Sequence, residues 1–242
     1  MLENYKCMNK ENIYVFYMEK DKCFVEETLE KVIKAYEELS DYFEIKKGSF
    51  NIKVILACNR KEYENLVLNI LKVNIEIPSR KSRIAQPQEE YLVLLSPNVY
   101  EEDSIYKYDQ KEYERLIYHE TTHMFEEYLC KDMENSSLWF GEGLAVYLSQ
   151  QWKYEKEFRK TVEENVKNCV IPNLRDIDKN RIFAYEWGWT LIKYIEEKYG
   201  KNTINKIVRN YENGDVFGYM KVNMELLEKQ WKRWVLNEKN IK

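Results

Sequence analysis

The chain has only two histidines, and both fall in the pentapeptide His119-Glu120-Thr121-Thr122-His123. Residues four apart on a helix share a face, with Cβ atoms about 5–6 Å apart, so both imidazoles can grip one metal ion while Glu120 reaches toward a water on it. No other feature constrains the fold as strongly. The spacing suits a helix, where the two could also be ordinary surface histidines; if they hold a catalytic zinc, which usually takes three protein ligands and keeps its fourth position for water, another segment must return with a third.

Composition narrows the setting. At 242 residues the chain can bury a substantial core as one large domain or two lobes. A net charge of −4 offers no basic excess to hold a phosphate backbone, so nucleic acid is not an expected partner. The first ten residues are polar and the next apolar stretch, residues 13–18, is far too short for a secretory segment or a membrane span. The five cysteines, Cys7, Cys23, Cys58, Cys130 and Cys169, are odd in number and never paired as Cys-x-x-Cys, which suits free thiols in a reducing cytoplasm. Cys130 shares a helical face with His123 and is expected to be a buried thiol.

Periodicity changes character along the chain. Residues 13–18, 50–58 and 91–95 read as strands, and residues 24–40 and 61–71 as helices, with a polar stretch containing Pro78 and Pro87 before the last strand. From Asp109 onward helix follows helix. Asp109, with Glu112 three positions later, can cap a helix that runs to about Cys130 and carries the histidine motif. Further helices are expected at 139–150, capped by Ser136 or Ser137, and at 154–168, 183–199, 203–212 and 223–237. Trp187, Trp189, Trp231 and Trp234 recur at helical spacing and are expected in the core.

The segment Trp139-Phe140-Gly141-Glu142-Gly143-Leu144-Ala145 offers a third ligand in Glu142, which follows His123 after eighteen intervening residues. Gly141 and Gly143 each cost about 1 kcal/mol relative to alanine inside a helix, which close backbone approach near the metal would offset. His-Glu-x-x-His, eighteen residues and then Glu-Gly-x-Ala after Trp-Phe resembles the gluzincin metallopeptidases, particularly their aminopeptidase-like branch. Ile171-Pro172-Asn173-Leu174 and Ala184-Tyr185-Glu186-Trp187-Gly188 look like the family's downstream segments.

The resemblance implies one zinc ion held by His119, His123 and Glu142, Glu120 as general base, and a peptide or protein substrate. It also implies an α+β, zincin-like fold. A mixed α/β lobe with a twisted sheet, residues 1–131, would end in the active-site helix, and a mainly helical lobe, 132–242, would carry the third ligand. Two positions depart from the family. The Gly-x-Met-Glu-Asn segment expected before the first histidine is absent there, Met133-Glu134-Asn135 lying after it, and Val146 stands where an acidic residue often orients a ligand histidine.

Attack on a carbonyl builds an oxyanion that needs a donor, and both histidines are spent on the metal. Tyr185 is the expected donor, on the family's corresponding tyrosine region, with Arg181 and Tyr147 in reserve. The strand at 91–95, last before the motif helix, is expected to pair with extended substrate. An alternative reading keeps the metal but not the chemistry: a structural or inactive zinc site in a peptide-recognition module.

Overall fold

Ile13–Tyr17 buries Ile13, Val15 and Tyr17 while Tyr14 and Phe16 are half-buried, the alternation of a strand with one face inward. It is β2 of a mixed five-stranded sheet whose order is β1-β2-β3-β5-β4, formed by β1 (Lys6–Lys10), β3 (Ile52–Ala57), β4 (Ala85–Gln88) and β5 (Tyr91–Leu95). The computed structural model describes residues 2–132, 136–211, 216–237 and 241. The chain divides into two compact units, Met1–Met124 and Phe125–Lys242.

In the first unit β3 runs parallel to both β2 and β5, and the outer pairs β1–β2 and β4–β5 are antiparallel. Five of the six β3 residues are buried, so the strand reads as a near-continuous apolar run, as a strand with parallel partners on both sides does. The sheet corrects one expectation. Residues 91–95 lie between β3 and β4, so their backbone is paired on both sides and this strand cannot accept a peptide. The edges are β1, exposed throughout, and β4, which carries Pro87 where a missing N–H is tolerated. Neither edge strand has the apolar alternation that marks a strand in sequence.

Helix α1 (Val25–Phe43) packs on β2 and β1, burying Val25, Leu29, Val32, Tyr36, Leu39 and Phe43 at spacings of three and four. Helix α2 (Arg60–Asn69) packs on β5 and β3 and is capped by Asn59, whose Oδ1 accepts from the Glu62 amide at 2.8 Å. A short α3 (Tyr100–Asp103) precedes α4 (Gln110–Leu129), the helix of the histidine motif. The division between the units falls inside α4.

The second unit is helical: α5 (Leu138–Leu148), α6 (Gln151–Tyr154), α7 (Lys156–Lys167), α8 (Leu174–Lys179), α9 (Arg181–Tyr199), α10 (Lys201–Arg209) and α11 (Met224–Val235). Helix α9 is its axis, in contact with α5, α7, α8, α10 and α11. Trp187, Trp189 and Trp231 are fully buried, and the Trp231 indole donates to Thr190 Oγ1 at 3.0 Å. Trp234, expected in the core as well, is only half-buried and donates to Glu197. Among the described residues no helix is long and apolar enough to cross a membrane.

Candidate metal centre

The motif helix α4 starts where Asp109 accepts hydrogen bonds from the amides of Lys111 and Glu112 at 2.9 and 3.0 Å. Its first half is tied to α1 by a buried contact of 2.9 Å between the hydroxyls of Tyr113 and Thr28, and by Lys34 on Glu114 at 2.6 Å. The two threonines between the histidines are poor helix formers and fully buried. Each satisfies its hydroxyl on the carbonyl one turn back, Thr121 on Ile117 at 2.7 Å and Thr122 on Tyr118 at 2.9 Å.

That face presents His119, 3% exposed, beside the half-buried His123. Their Nε2 atoms are 3.2 Å apart with the rings crossed at 80°. Two neutral imidazoles that both turn a lone pair to the same point repel each other unless a proton or a cation lies between them. Two nitrogens bound to one tetrahedral zinc at 2.0–2.1 Å would themselves be about 3.3 Å apart. Glu120 is half-buried, and its carboxylate, after burial itself, is the second influence holding the Tyr63 phenol well above its ordinary pKa. Tyr63, fully buried on α2, is thus a neighbour of the expected base that sequence reading missed, since nothing marks it among twenty tyrosines.

Helix α5 is apolar all round, with residues 139–146 buried, and Glu142 is 5% exposed in that run. A carboxylate taken out of water needs a cation or several donors. The ligand atoms of His119, His123 and Glu142 all lie within 4.8 Å of one another, so this group can hold a metal ion. Two nitrogens and one carboxylate oxygen are a donor set that suits zinc.

Of the two glycines beside Glu142, Gly143 shows the expected close backbone approach and Gly141 does not. A Cβ on Gly143 would lie 2.5 Å from the Gly188 carbonyl carbon, and one on Gly188 would lie 2.6 Å from the Trp139 carbonyl oxygen. The close approach is therefore α5 against α9, backbone on backbone. Gly141 faces Ser136, whose Oγ would be 3.0 Å from an added Cβ.

This crossing brings Arg181 to Glu142. Arg181 is the first residue of α9, two positions earlier than periodicity predicts, because Asn180 caps the helix through the amides of Ile182 and Phe183. Its Nε and Nη2 lie 3.0 and 2.7 Å from Glu142 Oε1. Partial enclosure by neighbouring groups works against the guanidinium charge, but Glu142 and then Tyr185 more than offset it and raise its pKa further.

Tyr185, one turn along α9, is half-buried, packs on Phe158 and is hydrogen-bonded to the Arg181 guanidinium. The reserve donor Tyr147 is committed elsewhere, its hydroxyl donating to Glu196 and its ring stacked on Trp152. Cys130 is buried. Met133-Glu134-Asn135 lies outside the described residues. Compared with known proteins, the chain matches no family model and no curated sequence.

Proposed function

We propose that the chain is a zinc-dependent metallopeptidase of the gluzincin type, with the zincin arrangement of an active-site helix following a mixed sheet. The observation that carries this reading is the convergence of His119, His123 and Glu142 within 4.8 Å, from a helix and a segment that follows it after eighteen intervening residues. Glu120 supports catalysis over a purely structural site, which needs no base. The peptide substrate rests on the family resemblance.

His119, His123 and Glu142 would hold a zinc ion, which would supply a bound water of lowered pKa and a Lewis acid for the carbonyl. Glu120 takes the proton released from water onto its carboxylate and returns it to the leaving nitrogen. Tyr185 supplies the oxyanion donor. Because a guanidinium only donates, the Tyr185 oxygen is the acceptor in its contact with Arg181.

The test is metal content together with cleavage of a broad peptide library by wild type and Glu120→Gln. Near-stoichiometric zinc in both proteins is expected, with turnover reduced about 10²–10⁴-fold in the variant. Wild type without metal would refute the reading, and equal cleavage by both would remove Glu120. Zinc in both proteins with cleavage in neither would favour the peptide-recognition module.

A further inference from the structure

Two N–H groups of Arg181 converge on a single oxygen of Glu142, at 3.0 and 2.7 Å, instead of taking one oxygen each. An arginine meeting a carboxylate without other constraint favours the parallel fork, one N–H per oxygen. The departure has a visible frame. Helices α5 and α9 are held at backbone contact by Gly143 and Gly188, Arg181 leads α9, and Tyr185 one turn later holds the same guanidinium. Glu142 is 6% exposed on its side chain while Arg181 is 65% exposed, so the arginine approaches the carboxylate from the solvent side.

The geometry points to Arg181 as the residue that positions Glu142 to bind the metal through one oxygen, by occupying Oε1 and assigning Oε2 to the ion. This inference rests on the metal-centre reading. A carboxylate free to turn can bind through both oxygens and fill a coordination position, whereas one pinned at Oε1 leaves that position for water. Without a metal the same contact gives a buried carboxylate a compensating cation.

Cobalt(II) in place of zinc reports coordination number directly, because its visible absorption is strong in a four-coordinate site and weakens as ligands are added. The full chain is stripped of metal, titrated with cobalt(II), and compared with Arg181→Gln and Arg181→Lys. The expected result is intense absorption in wild type. In Arg181→Gln, affinity should fall about 10–100-fold, the usual effect of losing a residue that orients a ligand, and the absorption should weaken. Arg181→Lys, which keeps the charge but not the pair of N–H groups, should recover affinity in part and leave the spectrum weakened.

Unchanged affinity and spectrum in Arg181→Gln, or tighter binding, would overturn the inference while the metal centre stands. Wild type that binds no cobalt would overturn both. Should the glutamine variant fail to fold, the lysine variant decides alone, and a wild-type spectrum there counts against the assignment.

Discussion

Around β3 the space is filled by side chains: Val54, Ile55, Leu56, Val93 and Leu94 are all fully buried. Where α5 meets α9 the space is closed by the absence of side chains, with Gly143 against Gly188. The two regions respond differently to change. An aliphatic interior can shift a methyl group or a rotamer to absorb a new shape, but two backbones already in contact have nothing to move except themselves. The helical crossing also sets where Glu142 and Arg181 sit, so its packing bears directly on the candidate ligand.

The largest expected effect breaks the crossing. In Gly188→Ala the new Cβ would meet the Trp139 carbonyl oxygen at 2.6 Å and the Gly143 Cα at 2.8 Å, both backbone atoms. Alanine's better helix propensity returns about 1 kcal/mol, and the overpacking should still leave a net loss of about 2 kcal/mol by denaturant unfolding. Zinc affinity should fall with it, because the helices must part and Glu142 travels with α5. Gly143→Ala strikes the same contact from the other side, so the double variant should lose less than the sum of the singles. Undiminished stability in Gly188→Ala would show that the crossing tolerates a side chain.

The matching change in the sheet is Ile55→Val at a fully buried site on β3. A loss of about 0.5–1.5 kcal/mol is expected, with no change in zinc affinity. A loss larger than that of Gly188→Ala would reverse the contrast between the two regions.

The same contrast explains what could be read before the structure was known. The apolar strands β2, β3 and β5 and the amphipathic α1 announce themselves through period and composition, and the histidine motif through a spacing that only a helix satisfies. The edge strands β1 and β4 were not legible, because β1 is exposed throughout and β4 half-buried throughout, so neither carries an alternation. Expecting β5 to pair with substrate followed directly from missing β4. Glu142 could be picked out in its buried run, but the reason for Gly143 could not, since a glycine at a helix crossing is defined by a partner 45 residues away at Gly188. Arg181 was visible as a reserve oxyanion donor, not as the partner of Glu142. Its role depends on Asn180 starting α9 early enough to bring the guanidinium onto Oε1.

The smallest expected effect lies at the start of α4, where the motif helix depends on a single exposed cap. Hydrogen bonds from the amide of Glu112, then that of Lys111, hold the Asp109 carboxyl below the usual carboxylate range. A group whose folded pKa is depressed stabilises the fold fully above its unfolded pKa, about 3.9 for aspartate, and loses that contribution as the pH falls through the lower folded value. Wild type should therefore exceed Asp109→Ala in stability at pH 6 by a margin that shrinks as the solution is acidified below about pH 4. Asp109→Asn, which caps without a charge, should show no such acid-dependent margin over alanine. Unfolding curves of the three proteins across that range decide the point. A margin between wild type and alanine that stays constant to the lowest pH would show that the cap acts without its charge.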